Sequence, residues 1–141
     1  MKRLMYILLS MLGFTSCIGG MVCEYGTPTT DFTVKGKVTD KAGTPIKGIV
    51  VSSKNVSSFA DGSGLSAVTA ADGTFVTNKM MEFSVEGTLV FTDTDGEDNG
   101  GDFAPLEVEL HKLPKSQIKK GDGNWYQGEY EVTADVKLDK K

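Results

Sequence analysis

Histidine occurs once and cysteine twice in this sequence, and that scarcity removes whole classes of chemistry. A single histidine, His111, with no partnering motif leaves a Ser-His-Asp triad without its base. Zinc normally asks for three or four protein ligands. His111, following Glu107 and Glu109 on one strand-like run, therefore reads as a solvent-facing residue. Two cysteines frame neither a disulfide scaffold nor an iron–sulfur centre. Gly-x-Ser-x-Gly is missing, as is a phosphate-binding glycine loop ahead of a helix. Carboxylates are plentiful, but they gather in a flexible stretch, whereas glycosidase acids need a cleft and a fixed separation. The expectation is a protein without catalytic activity of its own. Basic charge is short too, which argues against nucleic acid as a partner, because phosphate contacts dominate that affinity.

Long apolar runs are confined to the beginning of the chain. Met1-Lys2-Arg3 is a basic start, and Leu4 to Phe14 is apolar but too short to span a bilayer as a stable helix. Small residues Thr15 and Ser16 then precede Cys17, the order of a bacterial secretory signal. Phe14-Thr15-Ser16-Cys17 resembles the lipobox of bacterial lipoproteins. The resemblance implies that Cys17 takes a diacylglyceryl group after cleavage behind Ser16, so that residues 1–16 are the signal peptide. Two or three acyl chains on one residue make a durable anchor, since one chain alone binds marginally. Ordinary secretion, with Cys17 a thiol or paired to Cys23, is the alternative. Losing Lys2 and Arg3 from fifteen basic residues, against nineteen acidic ones, takes the formal charge from −4 to −6. Ile18 after Cys17 does not resemble an inner-membrane retention signal, which favours the outer membrane. Residues 17–31, with Gly19-Gly20 and Pro28, read as a tether.

Helical periodicity is the last absence. From Phe32 the apolar residues recur every second position, through Val34, Gly36 and Val38, as in a half-buried strand. Asp40-Lys41-Ala42-Gly43 has the residues of a type I turn. Ile46 to Ser52 reads as a second strand with a slip at Gly48, and Ser53 to Gly64 as a surface loop. Ser66–Thr69 and Thr74–Thr77 read as a tight hairpin through Asp72-Gly73. A long strand is expected over Phe83 to Thr92, another over Leu106 to His111, and the cleanest over Tyr126 to Leu138. Seven strands over residues 32–141 predict an all-β, two-sheet sandwich.

Val34 to Asp40, Gly43 to Val51 and Thr69 to Phe75 together resemble the carboxypeptidase-regulatory-like domain. That resemblance implies a transthyretin-like, Ig-like sandwich serving as an accessory module. The lipobox, Val22 to Pro28 and Phe91 to Phe103 are similar to lipoproteins of gut Bacteroidetes named for their association with radical SAM enzymes. Members of that family carry no established activity, and the name records a neighbouring gene. The likeness makes a radical SAM enzyme a conceivable partner, with Cys23 or Tyr25 in the exposed Cys23–Gly26 stretch as the modified residue.

The acidic run Asp93 to Asp102 is the most unusual local feature. Asp93, Asp95, Glu97, Asp98, Asn99 and Asp102 supply oxygens in a glycine-rich loop of the kind calcium favours. The twelve-residue EF-hand spacing fails, and a solvated turn whose charges discourage edge pairing explains it equally. Calcium is therefore carried as one expectation, in a module that binds carbohydrate or protein. Lys112, Lys115, Lys119 and Lys120 read as a basic loop, and Trp125 with Tyr126 as aromatics closing the core edge.

Overall fold

The structure, a computed structural model, describes residues 26–56 and 62–141. The signal segment, Cys17, Cys23 and Tyr25 lie outside the described residues. β1 (Thr29–Asp40) is the axis of the first sheet and begins three residues before the expected Phe32. Phe32, Val34 and Val38 are fully buried while Lys35 and Lys37 are exposed, the alternation that a pleated strand with one covered face requires. β4 (Thr74–Val76) and β5 (Met80–Glu82) run antiparallel to β1, one after the other along its length. β9 (Tyr126–Thr133) and β10 (Val136–Leu138) run parallel to it in the same successive manner. β8 (Lys115–Lys120) pairs antiparallel with β9 and completes a six-stranded sheet. The second sheet is antiparallel, in the order β3 (Ser66–Val68), β2 (Ile49–Lys54), β6 (Thr88–Asp93), β7 (Leu106–Glu109). No α-helix occurs among the described residues.

The inner faces of the two sheets meet in one core. Phe32, Val34, Val132 and Leu138 come from the first sheet, Ile49, Val51, Leu89 and Phe91 from the second. Phe75 of β4 meets Phe91 of β6 edge-to-face, with ring centroids 5.7 Å apart and planes at 75°. The buried polar side chains among the described residues are all threonines, and each supplies a missing backbone partner. Thr69 Oγ1 donates to the Ile46 carbonyl at 2.7 Å and accepts the Ile49 N–H at 2.9 Å. Thr77 Oγ1 accepts the Val34 N–H at 3.0 Å, and Thr30 Oγ1 donates to the Gly128 carbonyl at 3.0 Å.

Several expectations change: the second strand runs Ile49–Lys54 and not Ile46 to Ser52, the strand from Leu106 ends at Glu109, and the Tyr126 to Leu138 run is divided into β9 and β10. Ser66–Val68 and Thr74–Val76 form no hairpin, because β3 pairs with β2 and β4 pairs with β1. The Asp72-Gly73 turn exists, with Gly73 at φ 76° and its N–H on the Ala70 carbonyl at 2.9 Å, but it carries the chain from one sheet to the other. The long strand over Phe83 to Thr92 is broken, since residues 83–87 cross between sheets and only Thr88–Asp93 pairs in β6. Lys115 to Lys120 is a strand and not a loop; edge position lets all six residues stay exposed, so hydrophobic alternation never marked it. Among the described residues ten strands form, within the all-β, two-sheet architecture that was expected.

One of the breaks is structural. Between β9 and β10 the Ala134 carbonyl turns toward β1, and Asp135 Oδ1 accepts the Lys37 N–H at 2.9 Å. A Cβ on Gly36 would lie 2.0 Å from that Ala134 oxygen. Only a residue without a side chain fits at position 36.

Candidate functional site

The register fixes two ends. At one, Thr29 pairs with Tyr126 and Thr30 with Glu82, and the described chain begins at Gly26 against the Trp125 ring. At the other, Asp40 pairs with Leu138, Ile49 with Asp93, and Phe103 with Lys140. The point where residues 1–25 attach and the acidic loop thus lie at opposite ends of the 12-residue β1. At ~3.3 Å per residue β1 itself spans about 36 Å.

The acidic loop is built around one carboxylate. Asp93, the last residue of β6, accepts the Asp95 N–H through Oδ1 at 3.1 Å and the Phe103 N–H through Oδ2 at 3.0 Å. It ties the start of the loop to its finish, and buried Phe103 pegs that finish into the core. The Asn99 amide donates to Asp95 Oδ2, with Asn99 itself at φ 53°. Asp95 also packs on the connector before β2, since a Cβ on Gly48 would come within 2.7 Å of its Oδ2. Asp102 pairs with the Lys141 ammonium at 2.8 Å, and that contact raises the Lys141 pKa above its ordinary value. Glu97 and Asp98 are exposed. Three of the acids are thereby turned to backbone, amide and lysine, while the side chains of Glu97 and Asp98 form no ion pair or hydrogen bond among the described residues. No cluster of three or more His, Cys, Asp or Glu side chains poised to hold a metal occurs among the described residues. What the loop presents chemically is a rigid, negatively charged tip.

His111 is exposed as expected, in the 3-10 turn Leu110–Lys112 and not on β7, with Nε2 3.7 Å from Glu109 Oε2. Lys112 forms an ion pair with the same carboxylate and holds the Glu109 pKa below its usual value. A shallow depression lined by Glu86, Gly87, Thr88, Glu109 and His111 lies here. Sequence reasoning missed it because crossing residues 83–87 read as strand. On the outer face of the first sheet, Tyr126 Oη donates to Asp31 at 3.0 Å. Partial burial, then Asp31, raises the Tyr126 pKa. Lys79 reaches Glu129 at 2.7 Å and Lys35 reaches Glu131 at 2.6 Å. Comparison with protein-family models, curated proteins and solved structures returns no match to this chain.

Proposed function

We propose that this chain is a non-enzymatic, lipid-anchored protein of the bacterial cell envelope whose β-sandwich serves binding or assembly. The observation that carries the reading is the opposition of the two ends: the lipobox-like Cys17 precedes the end at Gly26, and the acidic loop lies at the other end of β1. A domain so arranged holds Glu97 and Asp98 clear of the lipid surface, where a cationic partner meets them first. Parallel pairing of β1 with the final strands supports a transthyretin-like or Ig-like topology, in which opening and closing strands share one sheet.

Mass spectrometry of the protein from its own membranes tests the anchor. Acyl groups on Cys17 with an unmodified Cys23–Gly26 peptide are the expected result. An unlipidated mature chain overturns the anchor. An added mass on Cys23 or Tyr25 replaces the reading with that of a radical SAM maturase substrate. A melting temperature that climbs with calcium makes the tip a calcium-dependent binding element, because a ligand that binds only the folded state stabilises it by mass action.

A further inference from the structure

We infer that the turn end of the β8–β9 hairpin, from Ile118 to Trp125, is a docking surface for an anionic lipid bilayer, set on the same membrane that the proposed anchor enters; the inference rests on that anchoring. The protein is acidic overall, yet β8 reads Lys115-Ser116-Gln117-Ile118-Lys119-Lys120 with every residue exposed and no acid among them. Lys119 and Lys120 form no ion pair among the described residues, because Glu129, opposite Lys119, is taken by Lys79 at 2.7 Å. Asp122, in the turn that follows, spends its Oδ1 on the Asn124 and Tyr126 N–H groups at 2.8 and 3.3 Å. Lysines on an edge strand also discourage edge-to-edge pairing. Edge protection leaves unexplained the two apolar side chains in the same hairpin, Ile118 at 54% exposure and Trp125 at 38%. Lysine beside tryptophan suits the boundary between water and lipid, where stem and ring meet acyl chains while the charge stays wet.

Position adds the third argument. Gly26 packs on Trp125, so the chain leading back to Cys17 leaves the domain at this hairpin. Nine residues from Cys17 to Gly26 span at most about 30 Å when fully extended. An acylated Cys17 would hold β8 close to the headgroups, and a weak patch acts strongly at such an effective concentration. Each lysine near an anionic surface multiplies binding about five-fold, an effect that salt screens.

The test uses the mature chain carrying Cys17→Ser, which has no lipid acceptor, and vesicles of phosphatidylethanolamine with phosphatidylglycerol or of phosphatidylcholine alone. The chain should sediment with the anionic vesicles only and be released by high salt. Lys119→Gln with Lys120→Gln should weaken that binding about 25-fold at an unchanged melting temperature, while Asp98→Asn at the far tip leaves it intact. No sedimentation, equal sedimentation with phosphatidylcholine, or indifference to the double substitution overturns the inference. Failure here with an acylated Cys17 in the native protein sinks the docking surface alone; vesicle binding with an unlipidated native chain sinks the anchor alone.

Discussion

Thr69 shows how much depends on a residue whose type suggests little. A threonine at a strand end reads as an ordinary turn residue, and nothing in the sequence separates Thr69 from Thr33 or Thr133. In the fold its hydroxyl donates to the Ile46 carbonyl in the β1–β2 connector and accepts the Ile49 N–H at the start of β2, at 3% exposure. Thr69→Val keeps the shape and strands both groups, at about 1–3 kcal/mol for each group left unsatisfied. Urea unfolding should register a loss of about 2 kcal/mol or more with an unchanged slope, while Thr133→Val, half-exposed, should change little. The acidic loop carries the same lesson. Its composition marked an unusual segment, but composition could not say that Asp93 would be consumed in closing the loop, because that depends on Phe103 entering the core ten residues later.

Among elements, legibility followed burial. β1 and the β9–β10 run were readable because one face of each is covered, so that hydrophobicity alternates; Val132, Ala134, Val136 and Leu138 are all buried as their spacing implied. β8 was not readable, since an edge strand exposed on both faces imposes no pattern on its side chains. The β3–turn–β4 unit misled for another reason: turn chemistry specifies a reversal locally but not which sheet each arm joins. The break between β9 and β10 is a further element whose requirement is met elsewhere in the chain. Gly36→Ala should force β1 off the Ala134 carbonyl and cost about 3 kcal/mol, the upper range for overfilling a packed interior. Calorimetry checks this; a loss under about 1 kcal/mol would mean that the break yields easily.

For the molecule as a whole, charge sets the pH range of stability. Hydrogen bonds from Thr44 lower the Asp40 pKa from 3.8, those from Thr74 lower that of Asp72 from 3.8, and Lys112 lowers that of Glu109 from 4.5. A carboxylate with a depressed folded pKa stabilises fully above its unfolded value and ceases to as pH falls through the lowered one. Lys79, Lys141 and Tyr126 are raised above 10.5, 10.5 and 10.0, so their contribution is whole below those values and is lost as pH climbs through the raised ones. Melting temperature against pH should be flat through neutrality and decline below about pH 4 and above about pH 10. A decline centred near neutrality would contradict these assignments.

The parallel seating of β1 beside β9 and β10 has a mechanical consequence. If the chain is held at its beginning while something tugs on the acidic tip, the load enters at Thr29 and runs along β1. Its ladder to β9 and β10 is then strained in shear, all rungs together, and not unzipped one at a time. The antiparallel partners β4 and β5 grip the same strand. Resistance to forced extension is governed by the unfolding rate, so a pull entering at Thr29 meets this sheet in the direction that loads its rungs together.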